Sequence, residues 1–145
     1  MTPDQINALA WQKQNGLLPA IVQDADSLQV VMLGYMNREA LESTLTSGQV
    51  CFFSRSKNRL WTKGESSGHF LQLVSVQSDC DSDTLLVLAH PNGPTCHLQR
   101  SSCFADAPAN FLTVLEKRIA DRKNADPATS YSKRLMDSGL DKVAQ

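Results

Sequence analysis

Long hydrophobic runs are missing from this sequence. The longest, at 30–33 and 85–89, fall far short of the ~18 apolar residues of a membrane span. The opening Met1-Thr2-Pro3-Asp4-Gln5 lacks a basic stretch followed by an apolar one, so no secretory signal is read and a soluble cytoplasmic protein is expected. Charge of one sign is missing too. The 14 Lys and Arg face 15 Asp and Glu, a net charge of -1, unlike the basic balance of a nucleic-acid binder. No Cys-x-x-Cys pair, Walker A string, dinucleotide fingerprint or internal repeat occurs, which sets aside zinc-ribbon and P-loop readings. Aromatic residues are scarce at 6%. Hydrophobic residues still reach 41%, enough for a buried core and too many for a disordered chain.

What is present is unevenly spread. A length of 145 residues gives a prior of one domain. Yet residues 1–110 carry a net charge of -3 and residues 111–145 one of +2. Arg55, Lys57, Arg59 and Lys63 put four cations into nine residues, and Asp79, Asp81 and Asp83 put three anions into five. One cationic and one anionic focus on a near-neutral chain suggest a site for a phosphate and a metal.

The local patterns predict an α+β fold: a twisted, mainly antiparallel sheet with a few flanking helices, followed by a helical C-terminal fragment. Thr2, Pro3 and Gln5 make a capping box for a first helix, with Ile6, Leu9 and Ala10 on one face. Runs at 19–23 and 28–33 around Asp24-Ala25-Asp26-Ser27 predict a β-hairpin. Asn37 caps a second helix, with Ala40, Leu41, Thr44 and Leu45 inward and Gly48 as its stop. Strands are expected at 49–54 and 59–63, joined by a turn at Ser56-Lys57-Asn58. Another is expected at 69–77, with Phe70, Val74 and Val76 on one face. The near-continuous apolar run at 84–90 belongs centrally in the sheet. Pro91-Asn92-Gly93-Pro94 is a turn, after which Cys96-His97-Leu98 is expected to open a return strand. A linker at 106–110 leads to a helix bearing Phe111, Leu112, Leu115 and Ile119. Asp126-Pro127 breaks it, Ser130 caps another, and Gly139 stops that one.

Asp79-Cys80-Asp81-Ser82-Asp83 is the most informative string. In an extended segment its aspartates share one face and Cys80 takes the other. Three close carboxylates repel and call for a hard cation or several donors. An EF-hand is excluded, since Thr84 stands where its glycine belongs and His90 where its glutamate belongs. Mg²⁺ and a solvated acidic turn both remain open. Cys80, Cys96 and Cys103 sit among polar residues, unlike Cys51 in its apolar run. Three thiolates suit zinc with a fourth position open to water, whose pKa zinc lowers to ~7. Unconnected structural cysteines are the plainer alternative. His97 is a candidate general acid or base, while His69 and His90 read as structural. Residues 54–68 mix cations, hydroxyls, glycines and Trp61, as a phosphate cradle or a solvated hairpin would.

Several strings resemble the phosphoribosyl-AMP cyclohydrolases of histidine biosynthesis, in order, from about residue 6 to 105. They are Met32-Leu33-Gly34-Tyr35-Met36-Asn37, Phe53-Ser54-Arg55-Ser56, Leu60-Trp61-Thr62-Lys63-Gly64-Glu65-Ser66-Ser67-Gly68, Asp79-Cys80-Asp81-Ser82-Asp83, and Gly93-Pro94-Thr95-Cys96-His97 with Ser101, Cys103 and Phe104. Beyond them, Leu115-Glu116, Arg122-Lys123, Asp126-Pro127, Ser130-Tyr131-Ser132, Leu135 and Gly139 resemble the opening of a phosphoribosyl-ATP pyrophosphohydrolase domain, as in chains that fuse the two. The resemblance implies a cyclohydrolase domain at 1–107, then a linker and an incomplete start of the helical domain at 108–145. The metal-binding glutamates of that second family follow a Lys-x-Gly-Glu-Glu string, which does not occur here, so pyrophosphohydrolase activity is expected to be absent.

The resemblance also implies the chemistry: hydrolysis of the N1–C6 bond in the adenine ring of 1-(5-phosphoribosyl)-AMP, giving the formimino carboxamide ribonucleotide. Zn²⁺ would be held by Cys80, Cys96 and Cys103, and Mg²⁺ by Asp79, Asp81 and Asp83. His97 would be catalytic. Arg55, Lys57, Arg59, Trp61, Lys63, Gly64, Glu65, Ser66 and Ser67 would bind the substrate. A homodimer with active sites at its interface is implied too. A zinc-stabilised binding module without chemistry is the alternative from another class, and it would need a fourth protein ligand.

Overall fold

The computed structural model describes residues 1–126, 128 and 130–138. The expected helix signals at Pro127 and Gly139 lie outside the described residues. The chain divides into two compact units, Met1–Ala109 and Asn110–Gln145.

In the first unit, Thr2 caps α1 (Pro3–Asn7) by the expected box: its hydroxyl accepts from Gln5 N, and the Gln5 side chain accepts from Thr2 N. A short 3-10 turn, Trp11–Gln14, follows. β1 (Leu18–Asp24) and β2 (Val30–Met36) form the antiparallel hairpin. The Asn37 side chain accepts from Ala40 N to open α2 (Arg38–Ser47). Gly48 ends α2 in the left-handed conformation, which glycine adopts without a Cβ penalty. β3 (Cys51–Ser54) and β4 (Arg59–Thr62) make a small sheet of their own. β5 (Leu71–Ser78) and β6 (Leu85–Pro91) complete the main sheet, in the order β2-β1-β6-β5. β6 is interior, as its apolar run suggests. The β1–β2 and β5–β6 pairings are antiparallel and the β1–β6 pairing is parallel.

Paired residues share a sheet face, so burial can be read across the register. The row Leu18, Ala20 and Val22 of β1 with Leu85, Val87 and Ala89 of β6 is buried against Ala40 and Leu41 of α2, with Ile6, Leu9 and Phe52. Gly34 belongs to this row through its pairing with Ala20, and a Cβ there would meet Phe52 Cδ1 at 2.4 Å. Its missing side chain is what lets the Phe52 ring lie on β2. The opposite row, Ile21, Leu33, Leu86 and Leu88, stays half-buried or exposed and forms an apolar strip on the outer face of the sheet, beside Gln23, Ser75 and Gln77.

Two expectations are corrected. First, β5 does not keep one inward parity. A bulge between Leu73 and Ser75 leaves Val74 exposed, so Leu71 and Leu73 face the core before it and Val76 after it. Second, Cys96-His97-Leu98 opens no strand. Cys96 N donates to Arg100 O, Gln99 N donates to Cys96 O, and Gln99 has φ 62. These local bonds close a turn and use backbone groups that a strand would have offered to a neighbour.

In the second unit, Asn110 caps α3 (Phe111–Lys123) and Ser130 caps α4 (Tyr131–Asp137). Phe111, Leu112, Leu115 and Ile119 are exposed on α3. No helix among the described residues is long and apolar enough to cross a membrane.

Candidate active site

All four cysteines are free thiols. Cys51 is a core residue whose N–H donates to the Thr44 hydroxyl at 2.9 Å. Cys96 is buried within the 96–100 turn. Cys103 reaches it because residues 102–104 are laced to β2. Cys103 N donates to Val31 O at 2.8 Å, and the Ser102 hydroxyl donates to Val30 O and accepts from Phe104 N. Burial first, and then the neighbouring Cys96, push the Cys103 thiol up, while Lys63 pulls it the other way. His97 Nδ1 lies 4.0 Å from Cys96 Sγ.

Cys80 lies elsewhere, exposed in the β5–β6 turn. β2 and β5 are the outer strands with β1 and β6 between them, which sets them about 14 Å apart at ~4.8 Å per step. The ends differ as well. Ser78 is level with Leu85 and Ala20, near the start of β1, whereas Val31 lies at the Val22–Gln23 end. Cys80 and Cys103 therefore occupy opposite corners of the sheet, and one chain does not bring the three thiols together.

A pocket of about 410 Å³ opens beside Cys96 and His97. Six expected residues line it: Lys57, Trp61, Lys63, Gly64, Ser66 and Ser67. Gly64 has φ +94, and a Cβ there would meet the His69 backbone at 2.5 Å, so only glycine closes this loop. Trp61 packs tilted on Phe52 and has the Lys63 ammonium 5.7 Å from its ring, which anchors the cationic wall in the core. Three expected residues are absent from the lining. Arg55 stacks 3.9 Å over the Tyr35 ring. Arg59 pairs with Glu65, whose carboxylate also accepts from Thr62 N. Hydrogen bonding to Arg59 holds the Glu65 carboxyl below the usual range and braces β4 against the following turn.

Ser54, His69, Pro94, Thr95 and Gln99 also line the pocket, and sequence reasoning did not single them out as binding residues. One signal for His69 lay in the glycine pattern: a Cβ on Gly93 would meet its ring at 2.6 Å. The Thr95 hydroxyl is buried and, among the described residues, has no hydrogen-bond partner.

The acidic triplet converges, but through a turn rather than an extended segment. Asp79 Oδ1 accepts from Asp83 N and Thr84 N, and Ser82 adopts φ 61. Carboxylate oxygens of Asp79, Asp81 and Asp83 lie within 4.8 Å of one another. Lys13 Nζ lies 2.6 Å from Asp81 and 2.6 Å from Asp83, and its hydrogen bond holds the Asp81 carboxyl below the usual range. A second group, Asp24, Asp26 and His90, gathers at the far end of β6, where Asp24 accepts from the Ser27 hydroxyl and from Asp26 N. A larger cavity of about 760 Å³ lies by Trp11, Lys13 and Arg38. None of the thiols lines it, so size alone does not mark the chemistry.

Residues 32–105 match the family model described as phosphoribosyl-AMP cyclohydrolase. The chain is 58% identical over 142 residues to the histidine biosynthesis bifunctional protein HisIE of Xanthomonas campestris pv. campestris, spanning 98% of this chain and 69% of that protein. It is 58% identical over 147 residues to the protein of the same name from Escherichia coli K12, spanning 100% of this chain and 72% of that protein.

Proposed function

The chain belongs to the phosphoribosyl-AMP cyclohydrolase family of histidine biosynthesis, and from that premise we propose how its residues open the adenine ring of 1-(5-phosphoribosyl)-AMP. The observation that carries the reading is the Cys96–Cys103 thiol pair, with His97 alongside, at a pocket walled by Lys57 and Lys63.

The donor set fits zinc: two neighbouring soft thiols, Cys96 buried and Cys103 exposed. Zinc bound there would supply Lewis acidity and activation of water near neutral pH. Sulfurs sharing one zinc lie ~3.8 Å apart, given Zn–S bonds of ~2.3 Å. Cys80 of the same chain is too far away to complete the set, and Cys80 of a second copy would be the third ligand. The apolar row Ile21, Leu33, Leu86 and Leu88 gives that copy a surface to cover, which supports a homodimer with shared sites.

In the reaction, a water oxygen attacks C6, the C6–N1 bond breaks, and the C6 oxygen ends as a carboxamide. His97 takes the proton that the water loses and delivers one to N1 as it leaves. Lys57, Lys63 and the backbone N–H groups of Gly64, Ser66 and Ser67 hold a substrate phosphate, and the Trp61 face offers stacking to the base. Mg²⁺ at Asp79, Asp81 and Asp83 would supply counter-charge to a phosphate. The Lys13 ammonium between two of these carboxylates is a stand-in cation that supports the fit. We assign no pyrophosphohydrolase activity to these 145 residues, which lack the Lys-x-Gly-Glu-Glu string.

His97→Ala tests the assignment. Ring opening followed by absorbance should fall by ~10²–10⁴ while bound zinc is kept. An unchanged rate removes His97 from the chemistry, and loss of zinc makes it a ligand instead.

A further inference from the structure

Lys13 Nζ sits 2.6 Å from carboxylate oxygens of both Asp81 and Asp83, where the reading above puts a divalent cation. Its place is fixed by backbone. Ala10 N donates to Ser82 O at 2.8 Å, which ties the N-terminal segment to the acidic turn. Lys13 N then donates to Ala10 O at 3.0 Å, and the Trp11 indole donates to Ile6 O at 2.9 Å. These bonds deliver a cation to the acidic turn, whose Asp81 is 68 residues away in sequence.

We propose that Lys13 is a tethered counter-cation. It neutralises Asp81 and Asp83 in the metal-free protein, competes with the divalent cation for them, and swings out when that cation binds. The inference rests on the cation reading of the acidic turn. Three carboxylates within 4.8 Å of one another repel, and an ammonium between two of them offsets that cost without any metal. An ammonium and a divalent cation cannot share the same oxygens, because they are like charges competing for one set of lone pairs. Tethering makes the competition intramolecular, so diluting the protein does not weaken it. There is also room for the displaced side chain. Lys13 is half-exposed and lines the cavity shared with Trp11 and Arg38. The consequence is a cation affinity set below what three free carboxylates would reach.

The test is Mn²⁺ binding, followed by the EPR signal of free Mn²⁺, with Mg²⁺ as competitor. It uses the full chain and its Lys13→Ala, Lys13→Arg and Asp81→Asn variants. Two exposed ion pairs amount to roughly threefold to tenfold in competition. Lys13→Ala should therefore bind Mn²⁺ about threefold to tenfold more tightly than the unmodified chain. Lys13→Arg keeps the charge and should bind no more tightly than Lys13→Ala, while Asp81→Asn should bind more weakly than the unmodified chain. Equal or weaker binding by Lys13→Ala, with Asp81→Asn still impaired, overturns the competitor role and leaves the cation site standing. No Mn²⁺ binding by either the unmodified chain or Lys13→Ala overturns both.

Discussion

Co-expressing two differently tagged copies of the chain, one Cys80→Ala and the other Cys96→Ala, turns the distance across the sheet into a count of active sites. The outer strands beside which Cys80 and Cys103 lie are about 14 Å apart, whereas sulfurs on one zinc lie ~3.8 Å apart. If each site takes Cys80 from one subunit and Cys96 and Cys103 from the other, both mutations of the tandem-purified heterodimer fall in one site. The second site is intact, so about half the turnover and about half the zinc should remain. The reciprocal pair sharpens the result. Unmodified chain joined to the Cys80→Ala/Cys96→Ala double variant breaks both shared sites and should leave almost nothing. Sites built within one chain reverse both outcomes, with an inactive first heterodimer and a half-active second. Ring opening by absorbance and zinc by elemental analysis give the two readouts, and the reversed pattern refutes the shared-site geometry.

Two further perturbations address the scaffold. Gly34→Ala drives a methyl to 2.4 Å from the fully buried Phe52 ring, which has no room to yield. Overpacking of this kind costs about 1–3 kcal/mol, so thermal unfolding should show a Tm lower by roughly 4–12 °C, and an unchanged Tm would contradict the packing argument. Arg59→Gln removes the partner that holds the Glu65 carboxyl below its ordinary value of 4.5. A depressed carboxylate stabilises the fold above its unfolded pKa and loses that contribution as the pH falls through the folded one. The Tm difference between variant and unmodified chain should be present at pH 7 and shrink as the pH falls below 4.5; a difference that grows on acidification contradicts the pairing.

Local signals with a complete mechanism were legible in the sequence. The Thr2–Gln5 box, the Asn37 cap and the Gly48 stop each need only residues three or four apart, and all three form. The hairpin and the interior place of β6 follow from apolar patterning. What failed depended on partners distant in sequence or on irregular backbone. Alternation over 69–77 carries no trace of the bulge at Val74, because an extra residue shifts parity without changing composition. Cys96-His97-Leu98 looks extendable until Arg100 closes the turn. The cations at 55–63 read as one cluster, yet Tyr35 takes Arg55 and Glu65 takes Arg59, leaving Lys57 and Lys63 at the pocket. Spacings of 16 and 7 between the cysteines gave no hint that Cys80 sits at the far corner of the sheet, because strand order decides that.

Turnover before chelation, after chelation and after zinc is returned tests whether a thiol-held zinc opens the ring of phosphoribosyl-AMP. Ring opening should disappear with chelator, return on adding Zn²⁺, and be absent throughout in Cys96→Ala. Turnover that survives complete zinc removal, or a fully active Cys96→Ala variant, would contradict a thiol-held zinc.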